Sequence, residues 1–320
     1  MVSARQTLLW VGLVVGSFTL GCGGGDPSPS DPGSGSTTSG TPQAGTTAGS
    51  GTTGLTGSSG SSGTTGTIGS PGIGYIRVAN LSPDLPPIDL CFGAPNGNTF
   101  IGPVVHEATK TKDLVAFGTV TNYIAVPAGS YEVRVVAGGG LSCADTAGNV
   151  RFKGSASVKA GQYATLAAVG LTSGTPLVSL QHYTDDISTL LGKTALRFIH
   201  AAPAFPSVLN SAVDVGLGTR TTVAPVFNNV RFAKIALPDS IIDGNGYANV
   251  NPISDATVTL RPAGSTADTL SIGALRLNPN EANTAFFILQ PPVGPSMLFC
   301  MDVKELASPT MQKASCQLRR

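Results

Sequence analysis

The 320-residue chain has little charge, 12% Asp, Glu, Lys and Arg together, few aromatic residues at 6%, one tryptophan and three histidines. Each scarcity removes a class of function. Basic and acidic residues nearly cancel, to a formal charge of +1, so no clustered basic face of the kind nucleic acids require is expected. Three histidines are too few for a His-rich metal site, and none of the five cysteines has Cys-x-x-Cys spacing, which argues against zinc or redox chemistry at the thiols. The G-x-S-x-G nucleophile turn, the H-E-x-x-H zinc helix and the G-x-x-x-x-G-K phosphate loop are also missing. After Leu20 no stretch shows a capped apolar helical period, and Thr184 to Leu191 has room for a turn or two at most. No catalytic residue and no cofactor is expected.

What the chain does have starts with an export signal. Residues 1–22 carry Arg5, then the apolar run Thr7 to Leu20, then Gly21 and Cys22; the run is too short to span a bilayer but has the length of a signal-peptide core. Phe18-Thr19-Leu20-Gly21-Cys22 resembles the lipobox of bacterial lipoproteins, with Thr19 where Leu is usual. The resemblance implies that Cys22 is acylated and that the protein is lipid-anchored in the cell envelope, at the outer membrane. Parity agrees: with Cys22 modified, Cys91, Cys143, Cys300 and Cys316 form an even set for an oxidising compartment. Of their three possible pairings, the repeat described next favours the local two, Cys91 with Cys143 and Cys300 with Cys316.

Residues 23–73 are almost wholly Gly, Ser, Thr, Pro and Ala. Such a segment cannot bury enough apolar surface to offset its ordering entropy, so a disordered tether of roughly 40 Å root-mean-square span is expected.

Beyond the tether the chain repeats. IRVANLSPDLPPIDLCF, at 76–92, is echoed by LRFIHAAPAFPSVLNSAVDV, at 196–215. Further pairs follow in the same order: Val126-Pro127 with Leu237-Pro238, VKAGQYATLAAVG (158–170) with LNPNEANTAFFIL (277–289), and LVSLQHY (177–183) with MLFCMDV (297–303). A period near 120 residues is too long for a solenoid and fits tandem domains, with expected bounds at 74–190 and 191–320. Tyr131-Glu132-Val133-Arg134-Val135 and Thr257-Val258-Thr259-Leu260-Arg261 alternate as half-buried strands do. The expectation is an all-β chain of two tandem immunoglobulin-like β-sandwiches, each burying its own core, with some coupling through the short connector 187–191.

Strand, S-P-D-x-P-x-I-D in the first copy, H-A-x-P with V-D-V in the second, and VPAGSYEVRV at 126–135 resemble the bacterial domain of unknown function 4397 family. The resemblance implies an exported β-sandwich, often on lipoproteins, with no established catalysis. Its motif turn maps onto Ser82, Pro83, Asp84 and Asp89 in the first copy and His200, Pro203 and Asp214 in the second. Asn80 stands where His is usual, and Ala204 stands for the motif Asp, so neither copy holds both. These polar residues are expected to bond turn backbone. A second candidate is the stretch Asp239 to Asp255, which offers Asp239, Asp243, Asn245, Asn249, Asn251 and Asp255 as oxygen ligands. Calcium is the metal they would suit, without EF-hand spacing; a plain long loop in place of the Pro127-Ala128-Gly129 turn is the simpler expectation. The functional expectation is a non-enzymatic envelope protein, tethered to the membrane and contacting protein or glycan partners, with a spacer or a hydrolase as alternatives.

Overall fold

The computed structural model describes residues 72–110, 115–139, 142–144, 148–188, 191–203, 212–302 and 314–320. The expected signal peptide, Cys22 and nearly all of the expected tether lie outside them. The tether's last residue, Ile73, is a correction: it opens the first strand and pairs with Pro127.

The first repeat contains β1 (Ile73–Asn80), β2 (Ile88–Gly93), β3 (Phe100–Ile101), α1 (Val104–Thr109), β4 (Thr119–Val120), β5 (Ile124–Pro127), β6 (Gly129–Ala137), β7 (Val150–Val158), β8 (Tyr163–Val169) and β9 (Ser179–Asp185). The second contains β10 (Thr194–His200), β11 (Val213–Gly218), β12 (Val223–Val230), β13 (Tyr247–Val250), β14 (Ile253–Pro262), β15 (Leu270–Leu277), β16 (Ala282–Gln290), β17 (Gly294–Met301) and β18 (Cys316–Arg319). The fold is all-β, as expected, with the six-residue α1 as the one departure among the described residues.

Each repeat is a sandwich of two sheets. In the first, β4-β1-β8-β9, with β5 also on β1, faces β3-β2-β6-β7; in the second, β13-β10-β16-β17-β18 faces β12-β11-β14-β15. Among the described residues no sheet mixes strands of the two repeats. Alternation builds each core: Ile76, Val78, Leu90, Phe92, Val133, Val135 and Leu166 point inward in the first, and Phe198, Val215, Phe227, Leu260, Phe287 and Met297 in the second. A parallel pair joins sequence-distant strands in both, β1 with β8 and β10 with β16. Disulfides link Cys91 to Cys143 and Cys300 to Cys316.

The other face of β1, β8, β10 and β16 is buried as well. Ala79, Leu81, Ala167, Val169 and Tyr183 of the first repeat share one apolar cluster with Ile199, Ala201, Phe286, Ile288 and Leu298 of the second. The two sandwiches therefore meet across these sheets. Register makes Ala79 and Ala167 the counterparts of Ile199 and Phe286, so the first repeat contributes small residues to the cluster at positions where the second contributes large ones.

Strand pairing also corrects the repeat alignment. Arg77 lies one position from the Ile76–Ile124 pair while Arg197 pairs with Tyr247, which makes Tyr123 the counterpart of Tyr247. The match of Val126-Pro127 is thus Val250-Asn251 and not Leu237-Pro238. Tyr163 pairs with Asp185, and Asp302 N–H donates to Ala282 C=O at 2.7 Å, so the last strand aligns Leu180–Asp185 with Met297–Asp302, three residues away from the match of LVSLQHY with MLFCMDV.

Candidate functional site

The motif turns are built by their own side chains. Asp84 accepts from Thr172 N–H at 3.0 Å and from the Thr172 hydroxyl at 2.7 Å, and Ser82 donates to it at 3.2 Å. Slight burial opposes ionisation of Asp84, but the Thr172 donors outweigh it and hold the carboxyl below its usual range. Asn80, where the resembling motif has His, is buried and donates to Val115 C=O at 3.1 Å. Asp89 takes the N–H groups of Leu90, Val105 and His106 at 2.6, 2.9 and 2.8 Å, fixing the start of α1. Burial nevertheless pushes its carboxyl up.

In the second repeat Asp214 accepts from Asn229 N–H at 2.8 Å and Gly264 N–H at 3.0 Å. His200 is fully buried, its ring lying against Phe232 and Phe287, and its carbonyl accepts from Ala233 N–H at 2.7 Å. His200 and Asp214 stand on strands of different sheets. Pro203 is buried at the turn that follows β10.

The stretch Asp239 to Asp255 is not one loop. It holds all of β13 and the start of β14, placing Asn249 and Asp255 on strands. The physical reason is that Tyr247 to Val250 form the edge strand that Ile124 to Pro127 form in the first repeat; the extra residues precede that strand instead of enlarging the turn after it. Asp239 holds Ile241 and Ile242 N–H at 2.8 and 2.9 Å, and Asp243 holds Asn245 and Tyr247 N–H at 2.8 and 2.9 Å. Asn251 accepts from Lys193 Nζ at 2.7 Å, and Asp255 pairs with Arg220 at 3.2 Å on the surface. Asp239, Asp243, Asn251 and Asp255 thus serve separate local turns and pairs, Asn249 Oδ1 is buried without a hydrogen-bond partner, and no cluster of three or more His, Cys, Asp or Glu suited to a metal occurs among the described residues.

What sequence reading passed over is a buried polar network between the sandwiches. Arg77, Tyr123, Thr165 and Asp185 of the first repeat have Arg197, Tyr247, Thr284 and Asp302 as counterparts. Both guanidinium groups and both carboxylates are at most 1% exposed. Arg77 reaches Asp302 at 2.7 Å, Arg197 reaches Asp185 at 2.5 Å, and Arg77 Nε lies 3.4 Å from Asp185. Tyr123 donates to Asp185 and Tyr247 to Asp302, each at 2.8 Å; Thr165 and Thr284 donate to the same carboxylates at 2.7 and 2.6 Å. Each guanidinium also lies over the tyrosine of its own repeat, at 5.3 and 4.6 Å. Two positive and two negative charges balance, and each carboxylate takes an arginine from the other sandwich. Burial opposes ionisation of Asp185, yet Arg77 and Arg197 outweigh it and hold the carboxyl below its usual range. The signal available in the sequence was the pair Arg77 and Arg197, each set in an otherwise apolar strand.

Open cavities lie elsewhere. One of about 540 Å³ is lined by Tyr131, Glu132, Gly154, Ser155 and His182. Another, about 260 Å³, lies between β9 and the second repeat, lined by His182, Tyr183, Lys234 and Asn245 among others. A third, about 580 Å³, has Arg231, Phe232 and Lys234 on its walls.

With this geometry in place, the comparison with protein families is informative. Residues 74–211 match the family described as Domain of unknown function (DUF4397). The DUF4397 match begins one residue into β1, covers the rest of the first sandwich and continues through β10, ending before β11 and Asp214. A search of curated proteins found no match to the chain.

Proposed function

We propose that this is a non-enzymatic, lipid-anchored protein of the bacterial cell envelope, whose paired sandwiches are held off the membrane by residues 23–71 and bind protein or glycan partners. The observation that carries the reading is how the acids are used. Asp84, Asp89 and Asp214 hold backbone N–H groups, and Asp185 and Asp302 are sealed in the network between the sandwiches. Catalysis by general acid or base needs such a group within reach of a substrate, and these five are committed to the fold. The open grooves, in contrast, carry hydroxyl, amide and aromatic side chains beside Glu132, His182 and Lys234, a mixed polar lining that suits contact with a partner. A glycan array probed with residues 72–320 tests the glycan branch directly; specific hydrolysis of any arrayed sugar would count against the non-enzymatic reading.

The anchor has its own test. Cys22→Ala is expected to move the protein from the membrane fraction to the soluble fraction, with loss of incorporated labelled fatty acid. Wild-type protein that takes up no label and stays soluble would contradict the anchored reading.

A further inference from the structure

The two repeats differ at one sheet edge. In the second repeat β17 is covered by β18, which runs antiparallel to it from Cys316 opposite Cys300 to Arg319 opposite Met297. Just before β18, Ser315 C=O accepts from Met301 N–H at 2.9 Å, and Ala314 N–H donates to Val120 C=O of the first repeat at 3.0 Å. Ala314 and Cys316 also pack on the apolar cluster shared by the sandwiches. The chain's own tail thus fills the groove between β17 and the neighbouring sandwich.

The counterpart of β17 is β9, and β9 pairs only with β8 among the described residues. Its groove toward the neighbouring sandwich is the open cavity of about 260 Å³ bounded by Gln181 to Thr184 on one side and Ala233 to Ile235, Gly244 and Asn245 on the other. Main-chain direction alternates along an antiparallel strand. Thr184 C=O is turned away from β8, accepting from Arg197 Nη1 at 2.8 Å, so Thr184 N–H and both main-chain groups of His182 face the free edge. These are the counterparts of Met301 and Phe299, the residues that meet the tail in the second repeat. The cavity of about 540 Å³ also reaches His182, so the edge is open along its middle.

We propose that the β9 edge is a strand-addition site that takes an extended peptide of a partner protein, antiparallel, with the Ser-Cys-Gln-Leu-Arg segment at 315–319 as the type of ligand. Unpaired edge groups template an added strand, and the filled groove of the second repeat gives its register. The inference rests on the partner-binding reading and narrows it to a peptide; the glycan array tests the broader reading separately.

The test uses residues 72–320 with both disulfides intact and a synthetic peptide of residues 314–320 carrying Cys316→Ser. Backbone NMR is expected to show saturable shifts at Gln181 to Thr184. N-methylation of Gln317, whose N–H would point to β9, should weaken binding about threefold to tenfold, while N-methylation of Leu318, which points away, should not. His182→Pro removes only an outward N–H, so it should keep the β8 pairing and the melting temperature yet lose the peptide. No saturable shifts, equal weakening by both methylations, peptide retained by a folded His182→Pro protein, or self-association through β9 without peptide would each overturn the proposal.

Discussion

Asp185→Ala is expected to destabilise residues 72–320 by about 3–5 kcal/mol in equilibrium denaturant unfolding, the range for breaking a buried ion pair by removing one partner. The carboxylate is fully buried and receives Arg197, Arg77, Tyr123 and Thr165. Without it two guanidinium groups share the single carboxylate of Asp302, and one positive charge is left uncompensated in a buried interface. Asp255→Ala supplies the contrast. Its partner Arg220 is 71% exposed and Asp255 itself 52% exposed, so solvent screens the pair and the loss should stay under about 1 kcal/mol. The pH dependence has a definite sign. A carboxyl held below its unfolded value contributes stability that is present above the unfolded value near 3.9 and is lost as pH falls through the folded one. The Asp185 contribution should therefore persist across neutral and mildly acidic pH and fade only below the ordinary carboxylate range.

Phe286→Ala is expected to cost about 3–5 kcal/mol, as large-to-small changes at well-packed aromatic sites do. Phe286 is fully buried, yet it belongs to the cluster between the sandwiches and not to the core of its own. Its loss should therefore weaken the association of the repeats more than the fold of the second sandwich. The counterpart positions decide why the space cannot simply close: the first repeat presents Ala79 and Ala167 where the second presents Ile199 and Phe286. Truncating Phe286 removes one of the largest side chains of the shared cluster. Denaturant unfolding of the variant gives the magnitude, and hydrogen exchange at β1 and β8 reads whether the interface is what opened.

Much of this architecture could be read from residues. Alternation at Tyr131 to Val135 and Thr257 to Leu260 gave inward and outward faces that the sheets keep, because a half-buried strand leaves a period of two in the sequence. The inserted residues at 237–246 were misplaced because Leu237-Pro238 imitates Val126-Pro127 locally, while the pairing partner that identifies the edge strand, Arg197 with Tyr247, is 50 residues distant along the chain. The interface escaped for a related reason. A strand buried on both faces loses its alternation and reads as a continuous apolar run, as in Ala285 to Leu289. Arg77 and Arg197 look like solvent-facing exceptions in such runs; only the opposing sandwich, with Asp302 and Asp185, turns them into buried partners. The motif acids were read for their chemistry of turn bonding, which needs only near neighbours in sequence. Asp84 with Thr172, 88 residues apart, lay beyond that reach.

The central claim is that the two sandwiches act as one unit through a paired interface specific for the opposite repeat. The most direct measurement is to prepare residues 72–190 and 191–320 separately and follow each alone and mixed by sedimentation and by unfolding. Each half keeps a complete sandwich core, so each is expected to melt cooperatively but at lower stability, since separation exposes the shared cluster and splits Arg77 from Asp302 and Arg197 from Asp185. Mixing should give a 1:1 complex that recovers the stability of the joined chain, in preference to pairs of identical halves. Halves that stay monomeric when mixed, each as stable alone as in the joined chain, would contradict it.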